Sequence, residues 1–126
     1  MPASYRIDKG RRFVFSNASG EITYAEMLAH QRDLTADRDF DSAFAHIADF
    51  TYATLGKISP EELLKFAQRS VFSPAARRAL IFSGPENYGL GRMYETLRRL
   101  EGQTGVRAFR TLEDAIDWIV GPLPEA

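Results

Sequence analysis

The chain has 126 residues, 44% of them hydrophobic and 26% charged, with a formal net charge of −1. A chain of this length can bury a core without covalent or metal staples, and its near-neutral charge gives no electrostatic reason to expect nucleic acid or an anionic membrane surface as a partner. With no cysteine present, disulfides, thiolate catalysis and cysteine-held zinc or iron–sulfur centres are excluded.

The first residues hold no apolar stretch of the kind a signal peptide needs, and no apolar run is long enough to span a bilayer, so a cytoplasmic location is expected. Tyr5 to Asp8 and Arg12 to Ser16 read as two short strands, joined at the turn signal Asp8-Lys9-Gly10 into a hairpin. Ser19-Gly20-Glu21 breaks that pattern. Thr23 followed by Glu26 is a capping box that starts a helix, with Tyr24, Met27, Leu28 and Leu34 on one face and an end near Thr35. Ala43 to Phe50 reads as a buried strand and Thr51 to Lys57 as a loop. Ser59-Pro60-Glu61-Glu62 combines a serine N-cap, a proline at the first helical position and a glutamate closing the box. Leu63, Leu64, Ala67 and Val71 line one face of that helix.

Arg78 to Phe82 is the next strand, and Ser83-Gly84-Pro85 a turn. Leu90, Met93, Tyr94, Leu97 and Leu100 recur at helical spacing, with Glu95 and Arg99 paired on the outer face and Gly102 as the stop. Val106 to Phe109 is a last strand. Thr111 caps a final helix whose stripe is Leu112, Ala115, Ile116 and Ile119, with Trp118 off that stripe. Gly121-Pro122 ends it, and a frayed tail is expected from about residue 122. The order β-β-α-β-α-β-α-β-α predicts an α/β fold with a mostly parallel five-stranded sheet and an antiparallel edge hairpin, residues 1–126 forming one domain.

That order resembles the STAS-like fold of bacterial anti-sigma factor antagonists, the SpoIIAA-like group. Ile47-Ala48-Asp49-Phe50-Thr51 looks like the family strand that leads to a phosphorylatable serine at the next helix start, and Ser59 is the positional match. Gly89-Leu90-Gly91-Arg92-Met93-Tyr94 also looks like the segment after the fourth strand of small SpoIIAA-like proteins. The family phospho-site reads Asp-Ser-Ser-Gly; here Lys57-Ile58-Ser59-Pro60 stands in its place, with the aspartate absent and proline for glycine. The resemblance implies a docking domain switched by charge at Ser59. Lipid carriers of the Sec14 type look like larger elaborations of the same fold.

Other constellations are weaker. Ser83 to Gly91 follows a strand, where open parallel sheets bind ligands, but it is neither G-x-G-x-x-G nor a P-loop. Asp37, Asp39 and Asp41 have calcium-loop spacing, yet Ser42 and Ala48 stand where that loop needs glycine and glutamate. His30 and His46 have no nucleophile beside them in sequence, and His46 alternates with Phe44, Ala48 and Phe50. No catalytic residue, metal site or cofactor is therefore expected. The expected function is a non-enzymatic regulatory domain binding a protein partner or a second copy of itself. The alternative is a carrier or binding module for a small lipid or nucleotide. The candidate contact residues are Asp49, Thr51, Tyr52, Tyr88, Gly89, Gly91 and Arg92, with Ser59 as phospho-acceptor.

Overall fold

The computed structural model describes residues 3–69, 71–74 and 76–121. Nine elements follow in the predicted order: β1 (Ala3–Asp8), β2 (Phe13–Glu21), α1 (Tyr24–Ala36), β3 (Ala45–Thr54), α2 (Pro60–Ala67), β4 (Arg78–Ile81), α3 (Pro85–Leu100), β5 (Val106–Phe109) and α4 (Leu112–Val120). They build one five-stranded sheet in the order β1-β2-β3-β4-β5, with β1 antiparallel to β2 and every other pair parallel. The frayed tail expected from residue 122 lies outside the described residues.

Strand alternation divides the sheet into two apolar faces. Phe13, Phe15, Ile47, Ala79, Ile81 and Phe109 face α4, where Ala115, Trp118 and Ile119 complete a small core. The other face carries Val14, Ala18, Ala48, Leu80 and Ala108 and is covered by α1, α2 and α3. Three crossovers in succession, each between neighbouring parallel strands and in the same direction along the sheet, deposit those helices on the same side, as crossovers of one hand do.

The helix starts obey the predicted chemistry. Thr23 Oγ1 accepts from the Glu26 amide, and Ser59 and Glu62 form a complete capping box. Thr111 Oγ1 accepts from the Asp114 amide. Each such cap contributes about 1 kcal/mol.

Several boundaries and faces differ from expectation. β2 continues through Ser19-Gly20-Glu21, because pairing with Tyr52, Ala53 and Thr54 of β3 carries the strand past its glycine after a register shift at Asn17/Ser19. The same pairing turns Thr51 to Thr54 from loop into strand. α2 stops at Ala67, so Val71 is outside it, and Leu64 is exposed. α3 begins at Pro85, capped by Gly84 at φ 80°, so Gly89 and Gly91 are helical rather than part of a ligand loop. Glu95 does pair with Arg99 at 3.4 Å, but it is buried, taking a hydrogen bond from the Ala108 amide. In α4, Trp118 joins the inward stripe and packs at a tilt against the Phe109 ring, while Leu112, Ile116 and Val120 are 40%, 42% and 74% exposed.

Gly91 explains how α3 reaches the sheet: a Cβ there would sit 2.4 Å from the Phe82 ring, whereas one on Gly89 would meet nothing within 4 Å. Gly91→Ala is expected to destabilise the chain by on the order of 1–3 kcal/mol through overpacking. Gly89→Ala is expected to stabilise by up to about 1 kcal/mol through helix propensity. Urea unfolding of the two variants checks both signs.

Candidate functional site

Parallel register arranges the three-helix face of the sheet in lateral rows. One row runs Val14, His46, Arg78, Val106 across four strands. The next runs Ser16, Ala48, Leu80, Ala108. Three of those four residues are small, so the sheet surface is hollow there. The hollow is roofed by Met27, His30, Gln31 and Leu34 of α1, Leu63 and Phe66 of α2, and Leu90 and Tyr94 of α3. Between roof and sheet lies a cavity of about 100 Å³ that is not fully enclosed. Its lining is mostly apolar, with one cluster of polar side chains and, apart from it, Asn17 and Asp49.

Ser16 stands at the centre of that cluster. Its Oγ is 2.8 Å from His46 Nε2 and 3.1 Å from His30 Nε2. A hydroxyl donates one hydrogen bond and accepts others, so Ser16 links two neutral imidazoles as acceptor from one and donor to the other. His46 Nδ1 is buried and has no partner. The ring stacks on Phe72 at a centroid distance of 5.0 Å, and the Arg78 guanidinium lies 4.3 Å from the centre of the same Phe72 ring. Burial pushes the His46 imidazole well below its ordinary pKa, and the Arg78 charge and His30 push it the same way. Burial also lowers His30, with Asp33 opposing in part. Both rings are neutral at pH 7.

Three arginines at or near the interior, Arg98 and Arg78 buried and Arg77 half-buried, behave differently from one another. Arg98, 1% exposed, donates to the Ala67 and Arg69 carbonyls at the end of α2, where the helix dipole favours a cation. Arg77 donates to the Trp118 and Gly121 carbonyls at 2.6 and 3.0 Å. Arg78 is 5% exposed, its Nε has no partner, and no carboxylate among the described residues pairs with it.

The cluster is not a hydrolytic triad. Ser16 sits in the middle of a strand whose amides are held by its neighbours β1 and β3, so no free backbone N–H pair is turned towards its hydroxyl as an oxyanion hole. The arrangement can hold and orient a polar group at one end of an apolar space.

The residues singled out from sequence fall in separate places. Asp49 lines the cavity edge, its Oδ1 accepting from the Thr51 amide and hydroxyl. The Thr51 carbonyl accepts from Ser83 Oγ. Tyr52 is 81% exposed. Tyr88, with Arg110 stacked 4.4 Å from its ring centre, and Arg92 line a separate open depression beside β5. Gly89 is exposed on α3, and Gly91 is filled by Phe82. Ser59 is at the exposed start of α2, its hydroxyl engaged by the Glu62 amide. Asp37 and Asp41 close short loops with the amides of Asp39 and Ala43. No group of three or more candidate metal ligands occurs among the described residues.

His30, His46, Ser16 and Arg78 were not grouped from sequence. The inward spacing Met27, His30, Gln31, Leu34 and the alternation Val14, Ser16, Ala18 were present as signals. The register joining them was not.

Because both imidazoles have lowered pKa values when folded, the unfolded chain binds more protons below the ordinary value of 6.5. Stability is therefore complete above that pH and falls as pH drops through it, by at most about 1.4 kcal/mol per pH unit for each histidine. Urea unfolding between pH 5 and 8 is expected to show this slope, and His46→Gln to flatten it.

No protein-family model and no curated protein matches the chain. Among solved structures, it is similar to an uncharacterised protein of the DUF3478 family from Shewanella loihica PV-4, described as having a SpoIIAA-like fold. The two superpose with a TM-score of 0.55 over 93% of each chain at 19% sequence identity. With its five-stranded sheet, single antiparallel pair and four helices, this chain has a SpoIIAA-like fold.

Proposed function

We propose that this chain is a binding module for a small, largely apolar molecule held between the sheet and the layer of α1, α2 and α3. The cavity carries this reading. Protein interiors are normally packed to the density of organic crystals, and a void lined by buried side chains forfeits dispersion contacts. Here the void lies in the main core, under a row of small residues, with Ser16, His30, His46 and Arg78 clustered in its wall and Asp49 at its edge. An engineered apolar cavity of about 150 Å³ admits benzene; this one is smaller, about 100 Å³, and open on one side, so it suits a short-chain ligand that extends towards the opening. This favours the carrier alternative over the regulatory one, and it moves the binding residues from the Tyr88 segment to the sheet face.

A second reading rests on a different observation. Leu112, Ile116 and Val120 form an exposed apolar stripe at i, i+4 and i+8 along α4, on the side of the molecule away from the cavity. Such a stripe suits a protein partner or a second copy of the chain, as the regulatory function requires. Charge at Ser59 would act there only over a distance, since Ser59 begins α2 on the opposite layer.

Ala48→Leu is expected to fill the cavity, to change stability by less than about 1.5 kcal/mol, and to abolish uptake of benzene-sized probes seen by amide NMR. A loss of several kcal/mol would show that no space exists at Ala48. For the second reading, Ile116→Lys is expected to leave the urea midpoint unchanged and to abolish any self-association measured by sedimentation.

A further inference from the structure

Resting on the small-ligand reading, we infer that Arg78 and His46 form an anion receptor at the polar end of the cavity, and that the ligand is a small monocarboxylate with a hydrocarbon body. The two side chains are direct neighbours, on adjacent parallel strands in the same lateral row. Strands in a sheet are separated by about 4.8 Å, so the two side chains lie side by side, and both pack against the Phe72 ring. Both are 5% exposed, and both line the cavity. Each has a buried nitrogen with no partner, Nε of Arg78 and Nδ1 of His46.

An uncompensated buried cation is costly, and proteins normally pair such a charge or bond it fully. Arg98 at least donates through Nη1 to two carbonyls at the end of α2, although its Nε and Nη2 also lack partners. Arg78 has only the Phe72 ring beneath it. A ligand anion would supply the missing partner.

The chemistry of the anion follows from charge and donor count. One unpaired cation faces two neutral imidazoles, so a single negative charge neutralises the site. A phosphate dianion would leave net negative charge in an apolar wall. A carboxylate is planar and has two oxygens, one for the Arg78 Nε–H and one for a His46 Nδ1–H. Binding would also set the proton order of the cluster. His30 Nε2–H donates to Ser16 Oγ, Ser16 Oγ–H donates to His46 Nε2, and His46 Nδ1–H donates to the ligand. Ala48, Leu80 and the remaining apolar lining surround the hydrocarbon body.

The test is an amide NMR titration of the full chain with acids of about four to six carbons, straight and branched, and with the alcohols of the same skeletons, sized to the cavity. At least one acid is expected to bind with shifts centred on His46 and Arg78, at least tenfold tighter than its alcohol. Arg78→Met is expected to erase that preference while alcohol binding persists. Acid and alcohol binding equally well in the unsubstituted chain would overturn the anion receptor and leave the small-ligand reading standing. Binding of neither series would overturn both. Displacement of the acid by equimolar inorganic phosphate would overturn the carboxylate assignment. Without ligand, Arg78→Met is expected to unfold at the same or a higher urea concentration than its parent. A lower midpoint, or failure to fold, would show that Arg78 holds the fold and would overturn the receptor.

Discussion

The parallel register of β2 to β5 is the constraint on which the interior depends. It sets Val14, His46, Arg78 and Val106 in one row and Ser16, Ala48, Leu80 and Ala108 in the next. A slip of one residue would exchange the two faces of a strand. In β4 it would send Arg78 and Leu80 towards α4 and turn Ala79 and Ile81 inward. The hydrophobic alternation of four neighbouring strands opposes such a slip. The polar cluster is therefore held by the packing of apolar residues around it rather than by its own few hydrogen bonds.

The cavity follows from the same rows. The row of Ser16, Ala48, Leu80 and Ala108 offers little side-chain volume, while the helices above it are kept at a distance by larger contacts elsewhere. Phe50 and Phe82 stack at 5.1 Å on one side of the hollow, and Phe72 closes the other. Gly91 lets α3 descend onto Phe82, but the ring fills the place a Cβ would take and holds the helix there. Two small cores and one larger core share the sheet, and the cavity lies where the larger meets Leu34 and Phe72 of a smaller one.

Local chemistry made much of the fold legible in sequence. Thr23, Ser59 and Thr111 each announced a helix start through a hydroxyl and an acid three residues on, and strand and helix periods separated cleanly along the chain. What failed were features decided by distant pairing. Gly20 looked like a break until β3 paired across it, and Gly89 and Gly91 looked like a ligand loop although Pro85 already begins the helix. The Trp118 wheel position was judged against the stripe Leu112, Ala115, Ile116 and Ile119, of which Leu112 and Ile116 face solvent. The polar cluster was hidden for a stronger reason. Arginine is seldom buried, so nothing in the sequence marks Arg78 and Arg98 as interior residues. Ser16, His30 and His46 lie 14 to 30 residues apart and meet only when β2 and β3 align. Ser59 was found by resemblance and by capping chemistry at once, and the structure shows the cap.

A carboxylate receptor and a hydrocarbon pocket both require that the space between Ala48, Leu80 and the helical roof be open and reachable. Diffraction from crystals of the chain pressurised with xenon measures this most directly, because xenon enters empty apolar cavities. The account predicts one ordered xenon atom over Ala48 and Leu80, displaced or lost in Ala48→Leu. A core with no xenon at that place, its side chains closed over the row of small residues, would contradict it.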